Sequence, residues 1–151
     1  MGTLKDRLIE DMHHAMKARD ELTTSTLRLA VAAVGHAEVA GAAKRELSDD
    51  EVIAVLTKEA KKRREAAAAF TDAGRADQAT RENEEGELLE RYLPKQLTDA
   101  ELADVVRQAL AAGDFSAKAQ MGPAMKAAQA AVAGRAAGAR VAAEVRRQLG
   151  L

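Results

Sequence analysis

The densest cluster of side chains that could do chemistry lies in the middle of the third predicted helix. It contains five basic residues: Lys58, Lys61, Lys62, Arg63 and Arg64. Successive residues on a helix are turned by about 100°, so these cations do not share one face. Arg63 falls inside the apolar stripe, four residues after Glu59, at the spacing that favours an ion pair. We interpret Glu59 and Arg63 as a structural ion pair that anchors one helix to another, with a ligand site as the alternative.

The outward-facing lysines of this cluster could touch phosphate groups. Glu65 shares their face, however, and weakens the positive potential there. The cluster is therefore a weak candidate for binding a polyanion.

Other residue types that support catalysis or metal binding do not form a recognisable pattern. His13 and His14 are adjacent, so they point about 100° apart on a helix and cannot coordinate one metal ion together. The chain has no cysteine, which excludes disulfides and thiolate metal sites. Its serines do not stand in a Gly-x-Ser-x-Gly pattern, and its glycines do not form a phosphate-binding loop. We predict no catalytic residue, no metal site and no cofactor.

The composition predicts an all-α protein. Hydrophobic residues make up 47% of the 151 residues and aromatic residues only 2%, because much of the apolar content is alanine. Alanine is the best helix former and is a poor strand residue. No charge-free apolar stretch of membrane-spanning length and no apolar signal-peptide core is present, so we expect no membrane association and a cytoplasmic location.

Pro94 marks the predicted boundary between two helical blocks. Proline cannot continue a helix, and the capping-box pattern of Thr98 and Glu101 starts a new helix just beyond it. We predict a helical N-terminal domain of about four helices (residues 1–93), a hinge (94–97) and a small three-helix domain (98–151). Within these blocks we expect the second helix to be the most buried and Ser116 to cap the sixth helix.

The net charge of -1 conceals a gradient along the chain. Residues 1–93 hold 15 Lys and Arg against 19 Asp and Glu, a net charge of -4. Residues 94–151 hold 8 against 5, a net charge of +3. The C-terminal block is therefore where a polyanion would dock, unless its cations only serve helix ends and solvated faces.

Several motifs, in order along nearly the whole chain, resemble the free-standing YqeY-like proteins of the GatB/YqeY family. They are Leu47–Ile53 (LSDDEVI), Lys58–Arg63 (KEAKKR), Phe70 with Ala73–Asp77 (AGRAD), Tyr92–Leu97 (YLPKQL), Met121-Gly122 with Met125, and Gly134–Ala136 (GRA) with Val141 and Val145. One departure is that Ala137 stands where the family often has an aspartate that would cap the last helix.

The resemblance implies an architecture similar to the tail of the B subunit of glutamine-dependent tRNA amidotransferase, which helps to hold tRNA. It implies tRNA-facing roles for Lys126, Arg135 and Arg140, to which we add Arg146 and Arg147 on grounds of charge. We expect a non-catalytic tRNA-binding module or an accessory of a tRNA-processing enzyme. The alternatives are the family label of a carbon–nitrogen ligase with glutamine as amide donor, and a protein–protein adaptor that uses the hinge and the acidic fourth helix.

Overall fold

The computed structural model describes residues 3–151, and in that range the protein is all-helical. Seven α-helices and one 3-10 turn follow one another along the chain. Their bounds are α1 (Leu4–Lys17), α2 (Glu21–Glu38), α3 (Asp49–Asp72), α4 (Ala76–Glu90), α5 (Asp99–Ala112), the 3-10 turn (Lys118–Gln120), α6 (Met121–Val132) and α7 (Gly138–Gln148). None of these helices combines the length and the apolarity needed to cross a membrane.

Contacts along the chain divide it into two compact units, Met1–Leu93 and Pro94–Leu151. The first unit contains α1 to α4 and the second contains α5 to α7. That the two units are separate domains joined by a hinge at residues 94–97 stays a prediction.

Three helices begin at reciprocal capping boxes. Thr3, Ser48 and Thr98 each accept a hydrogen bond from the backbone amide three residues later. The acidic side chain at that third position returns a bond to the backbone amide of the capping residue, so two otherwise unpaired amides are satisfied at each helix start. Local sequence thus determines where α1, α3 and α5 begin.

The core of the first unit is formed by all four of its helices, with α3 and α4 packed most extensively against each other. Its fully buried side chains include Leu8, Leu27, Val34, Val52 and Leu56. The expectation that α2 is the most buried helix is wrong. The helices α2 and α4 each have five buried residues, and α4 is the shorter of the two. Leu29 is 49% exposed, because α2 buries a single face and Leu29 lies off that face.

The core of the second unit is built around small side chains. Ala124 and Ala128 of α6 are fully buried beside Val106, Val141 and Val145. Alanine buries little area per residue, and it lets helix axes approach closely. The stability of this unit therefore depends on close helix packing.

Ser116 does not cap α6, contrary to the sequence-based expectation. The 3-10 turn intervenes, and α6 begins after Gln120, whose side chain makes no capping bond to α6. Instead, Gln120 Oε1 accepts hydrogen bonds from the amides of Ser116 at 3.1 Å and Ala117 at 3.2 Å. The side chain of Gln120 thus pairs two backbone amides of the segment that precedes α6.

The start of α7 has no side-chain cap, because Ala137 occupies the N-cap position in extended backbone geometry. Ala137→Asp should raise the free energy of unfolding by about 1 kcal/mol, since a carboxylate there can accept an unpaired amide of the first turn. Chemical denaturation measures this change. Ala143→Asp, at an exposed position in the middle of α7, is the matched control. Equal effects of the two substitutions would show that no cap had formed.

Candidate nucleic-acid interface

Two of the five candidate RNA-facing cations, Lys126 and Arg146, project from the second unit with neither an ion-pair partner nor a side-chain hydrogen bond among residues 3–151. Lys126 is exposed on α6, two residues from both Ala124 and Ala128, which are buried, so it lies on the side away from the core. Arg146 is exposed on α7 beside buried Val145. Among residues 3–151, no carboxylate lies within 4.0 Å of either side chain.

Arg135 is engaged with the end of α6. Its Nε donates to the carbonyl of Val132 and its Nη2 to the carbonyl of Ala131, both at 2.9 Å. The last carbonyls of a helix have no partner inside the helix, and a cation there also complements the helix dipole. The backbone carbonyl of Arg135 in turn accepts a 2.7 Å hydrogen bond from the amide of Leu97.

Arg140 also binds the backbone of Leu97. Its Nη2 donates to the carbonyl of Leu97 at 2.9 Å and to Asp99 Oδ1 at 3.0 Å. Both polar groups of the Leu97 backbone are therefore bonded to the region around the α6–α7 turn, and the Leu97 side chain is buried in the core. Arg135 and Arg140 fix this part of the second unit.

Arg140→Ala should lower the free energy of unfolding by about 1–2 kcal/mol, because it removes a charge-assisted bond to a partly buried carbonyl. Asp99→Asn removes only the ion-pair half of the contact, and the Asp99 side chain is 100% exposed. We expect this variant to stay within about 0.5 kcal/mol of the wild type. Denaturant titration measures the free energy of unfolding of both variants. An equal decrease in the two would mean that the bond from Arg140 to the Leu97 carbonyl does not stabilise the protein.

Arg147 forms an ion pair with Glu144 on its own helix. Arg147 Nη2 lies 2.5 Å from Glu144 Oε1, and Nε lies 3.0 Å from Oε2. The Arg147 guanidinium, together with a bond from Gln148, lowers the pKa of Glu144. The carboxylate therefore stays ionised and offsets the charge of Arg147.

The remaining predicted site residues, Glu59 and Arg63, lie in the first unit at the contact between α3 and α4. Arg63 Nη2 is 3.8 Å from Glu59 Oε2, and Arg63 Nη1 is 3.5 Å from Glu82 and 3.6 Å from Glu85. The four side chains are between 10% and 23% exposed. One guanidinium thus bridges a glutamate of its own helix and two glutamates of α4, which sequence spacing along α3 could not reveal.

The Tyr92–Leu97 motif is used in packing within both units. Tyr92 donates from its hydroxyl to Asp11 Oδ2 at 2.6 Å, and the Arg7 guanidinium lies 4.8 Å from the centre of its ring. Burial, with a smaller effect of Asp11, raises the pKa of Tyr92 and keeps the hydroxyl protonated as a donor. Tyr92 holds the end of α4 against α1, whereas Leu97 belongs to the core of the second unit.

No group of three or more His, Asp or Glu side chains in the described part of the chain is arranged to hold a metal ion. The geometry instead defines a small all-helical protein whose C-terminal unit carries exposed cations on a closely packed scaffold.

A family model described as Yqey-like protein matches residues 5–149, which is nearly the whole chain. The chain therefore belongs to the YqeY family. No curated protein matches it.

Proposed function

We propose that this protein is a non-catalytic, cytoplasmic module that binds tRNA or assists a tRNA-processing enzyme, and that the C-terminal unit makes the RNA contacts. The main support is that Lys126 and Arg146 are exposed in a unit of net charge +3, and that neither has an ion-pair partner among residues 3–151. Phosphate groups dominate the affinity of most proteins for nucleic acid, and exposed lysine and arginine side chains are prominent among the groups that contact them.

The roles of the five cations differ in this proposal. Lys126 and Arg146 contact phosphate directly, because no carboxylate among residues 3–151 lies within 4.0 Å of either side chain. Arg135 and Arg140 are positioning residues that hold the α6–α7 turn, with N–H groups left over for a secondary contact. Arg147 contributes less, because Glu144 offsets its charge.

Backbone and shape recognition of a folded RNA suits this surface better than recognition of single-stranded bases. Base stacking needs exposed aromatic rings. The chain has only one tyrosine and two phenylalanines, and all three rings are partly buried. We therefore propose a folded RNA such as tRNA as the ligand.

Competition binding tests this proposal. Labelled bulk tRNA is titrated with the full-length protein, and the complex is then challenged with unlabelled tRNA, a single-stranded RNA of equal length and a DNA duplex of equal charge. We expect tRNA to compete best. Equal competition by all three would reduce the proposal to non-specific polyanion binding. Formation of an amide from glutamine, tRNA and ATP by the purified protein would replace the non-catalytic role with ligase activity.

A further inference from the structure

A shallow, open pocket lies in the first unit where α1 passes into α2. Its volume is about 400 Å³, and its lining consists of Met16, Arg19, Glu21, Thr24, Ser25 and Arg28. All of its lining comes from residues 16–28, so its shape is determined by one helix–turn–helix segment.

The pocket carries an excess of positive charge. Arg19 and Arg28 are exposed, and the described residues offer neither of them a carboxylate within 4.0 Å. The one acidic lining residue, Glu21, is already bound through both oxygens by Arg81, at 3.0 and 3.1 Å. Arg81 also lowers the pKa of Glu21, so the two charges cancel and the two lining arginines remain uncompensated.

Arg19 occupies a backbone position that normally belongs to glycine. Its φ is 57°, and it follows the C-cap of α1 in a Schellman turn, in which the amide of Asp20 donates to the carbonyl of Ala15 at 2.9 Å. Glycine is strongly preferred there, because a Cβ is strained at positive φ. Favourable interaction with the helix dipole does not require this position, since Lys17 in the last turn already supplies a cation. An arginine at this position therefore weakens the fold relative to glycine.

Such strain commonly marks a functional position, and here it coincides with an uncompensated charge in a pocket. Three non-glycine residues between 3 and 151 have positive φ: Arg19, Asp114 and Ala133. Aspartate is among the residue types that tolerate this geometry, and alanine has no functional group to present. Arg19 alone among the three places a cation at the pocket.

We propose that this pocket binds a phosphate group through Arg19 and Arg28. Two guanidinium groups can bind phosphate with multiple charge-assisted hydrogen bonds. Met16, 48% exposed at the pocket, would contact an apolar part of the ligand. The phosphate belongs either to a free phosphate ester or to an RNA backbone, and the inference does not depend on the proposed role of the C-terminal unit.

Arg19→Gly tests the inference, because it should increase the stability of the protein and decrease its affinity for phosphate. The probe is inorganic pyrophosphate, added to the full-length protein and followed by amide chemical shifts and by calorimetry. Arg19→Gly should raise the melting temperature without ligand by about 2–4 °C, because it relieves positive-φ strain. It should also weaken pyrophosphate binding by about tenfold. Arg28→Gln should weaken binding similarly without the gain in stability.

Arg75→Gln is the matched control, because Arg75 is an exposed arginine at the other short helix junction of the same unit. Binding that survives Arg19→Gly and Arg28→Gln, or falls equally in Arg75→Gln, overturns the proposal, as does an absence of shift changes in residues 16–28. With the site established, a loss of tRNA affinity in Arg19→Gly would identify an RNA phosphate. Unchanged tRNA affinity would identify a free phosphate ester.

Discussion

Replacing Arg63 with methionine is expected to lower the free energy of unfolding by about 2–4 kcal/mol. Arg63 lies between Glu59 of α3 and Glu82 and Glu85 of α4, and its side chain is 23% exposed. Methionine keeps much of the side-chain volume and removes the charge. Glu82 then loses the one cation that lies within 4.0 Å of it among residues 3–151, whereas Glu59 keeps Lys62 and Glu85 keeps Arg81. Leaving a charge buried without its partner is far more costly than losing an exposed ion pair.

The neighbouring residue provides a matched control. Arg64 bonds Glu90 of α4 at 2.8 Å, but both side chains of that pair are more than 40% exposed. Arg64→Met should therefore cost less than about 1 kcal/mol. Urea denaturation compares the two variants, and adding Glu82→Gln to Arg63→Met should recover part of the loss. If Arg63→Met lowers the free energy of unfolding no more than Arg64→Met does, the ion pairs of Arg63 do not stabilise the contact between α3 and α4.

Reversing the charges of Lys126 and Arg146 is expected to weaken tRNA binding by about 10- to 100-fold at low salt. Each lost phosphate contact removes favourable counterion release, and each introduced carboxylate repels the RNA backbone. Both residues are exposed and make no ion pair within the described chain, so Lys126→Glu/Arg146→Glu should stay folded. Its melting temperature should fall by only a few degrees, because Arg146 lies in the last turn of α7, where an anion opposes the helix dipole. Filter binding or fluorescence anisotropy measures the affinity.

The control for this experiment changes net charge by the same amount in the first unit. Lys58 and Lys61 are exposed on α3, and Lys61 lies 4.0 Å from Glu65. Lys58→Glu/Lys61→Glu should lower the affinity far less, because Glu65 already weakens the positive potential of that face. Equal losses in the two double variants would mean that only overall charge matters, and the C-terminal surface would then have no special role.

Local patterns in the sequence predicted much of the fold. The alanine-rich composition predicted the all-α class. The Ser48–Glu51 and Thr98–Glu101 patterns predicted helix starts that the structure has, because a capping box needs only residues three apart. The missing cap at Ala137 was expected from the departure from the family motif, in which an aspartate often stands there.

Contacts between distant parts of the chain were not predictable in this way. Helical spacing placed Glu59 near Arg63, but the two glutamates from α4 depend on how the helices pack. The Arg140–Leu97 bond joins residues 43 positions apart, so charge alone left Arg140 indistinguishable from the unpaired Arg146. The exposure of Leu29 was missed because periodicity shows which face can be buried and does not show how much of the helix other elements cover.

The affinity of the protein for folded tRNA across a series of salt concentrations decides whether the C-terminal unit binds RNA through phosphate contacts. Phosphate contacts predict a linear fall of log K with log salt, and the slope should become shallower by about 2 in Lys126→Glu/Arg146→Glu. Absence of binding even at low salt, or a slope that the double variant leaves unchanged, would contradict tRNA recognition by this surface.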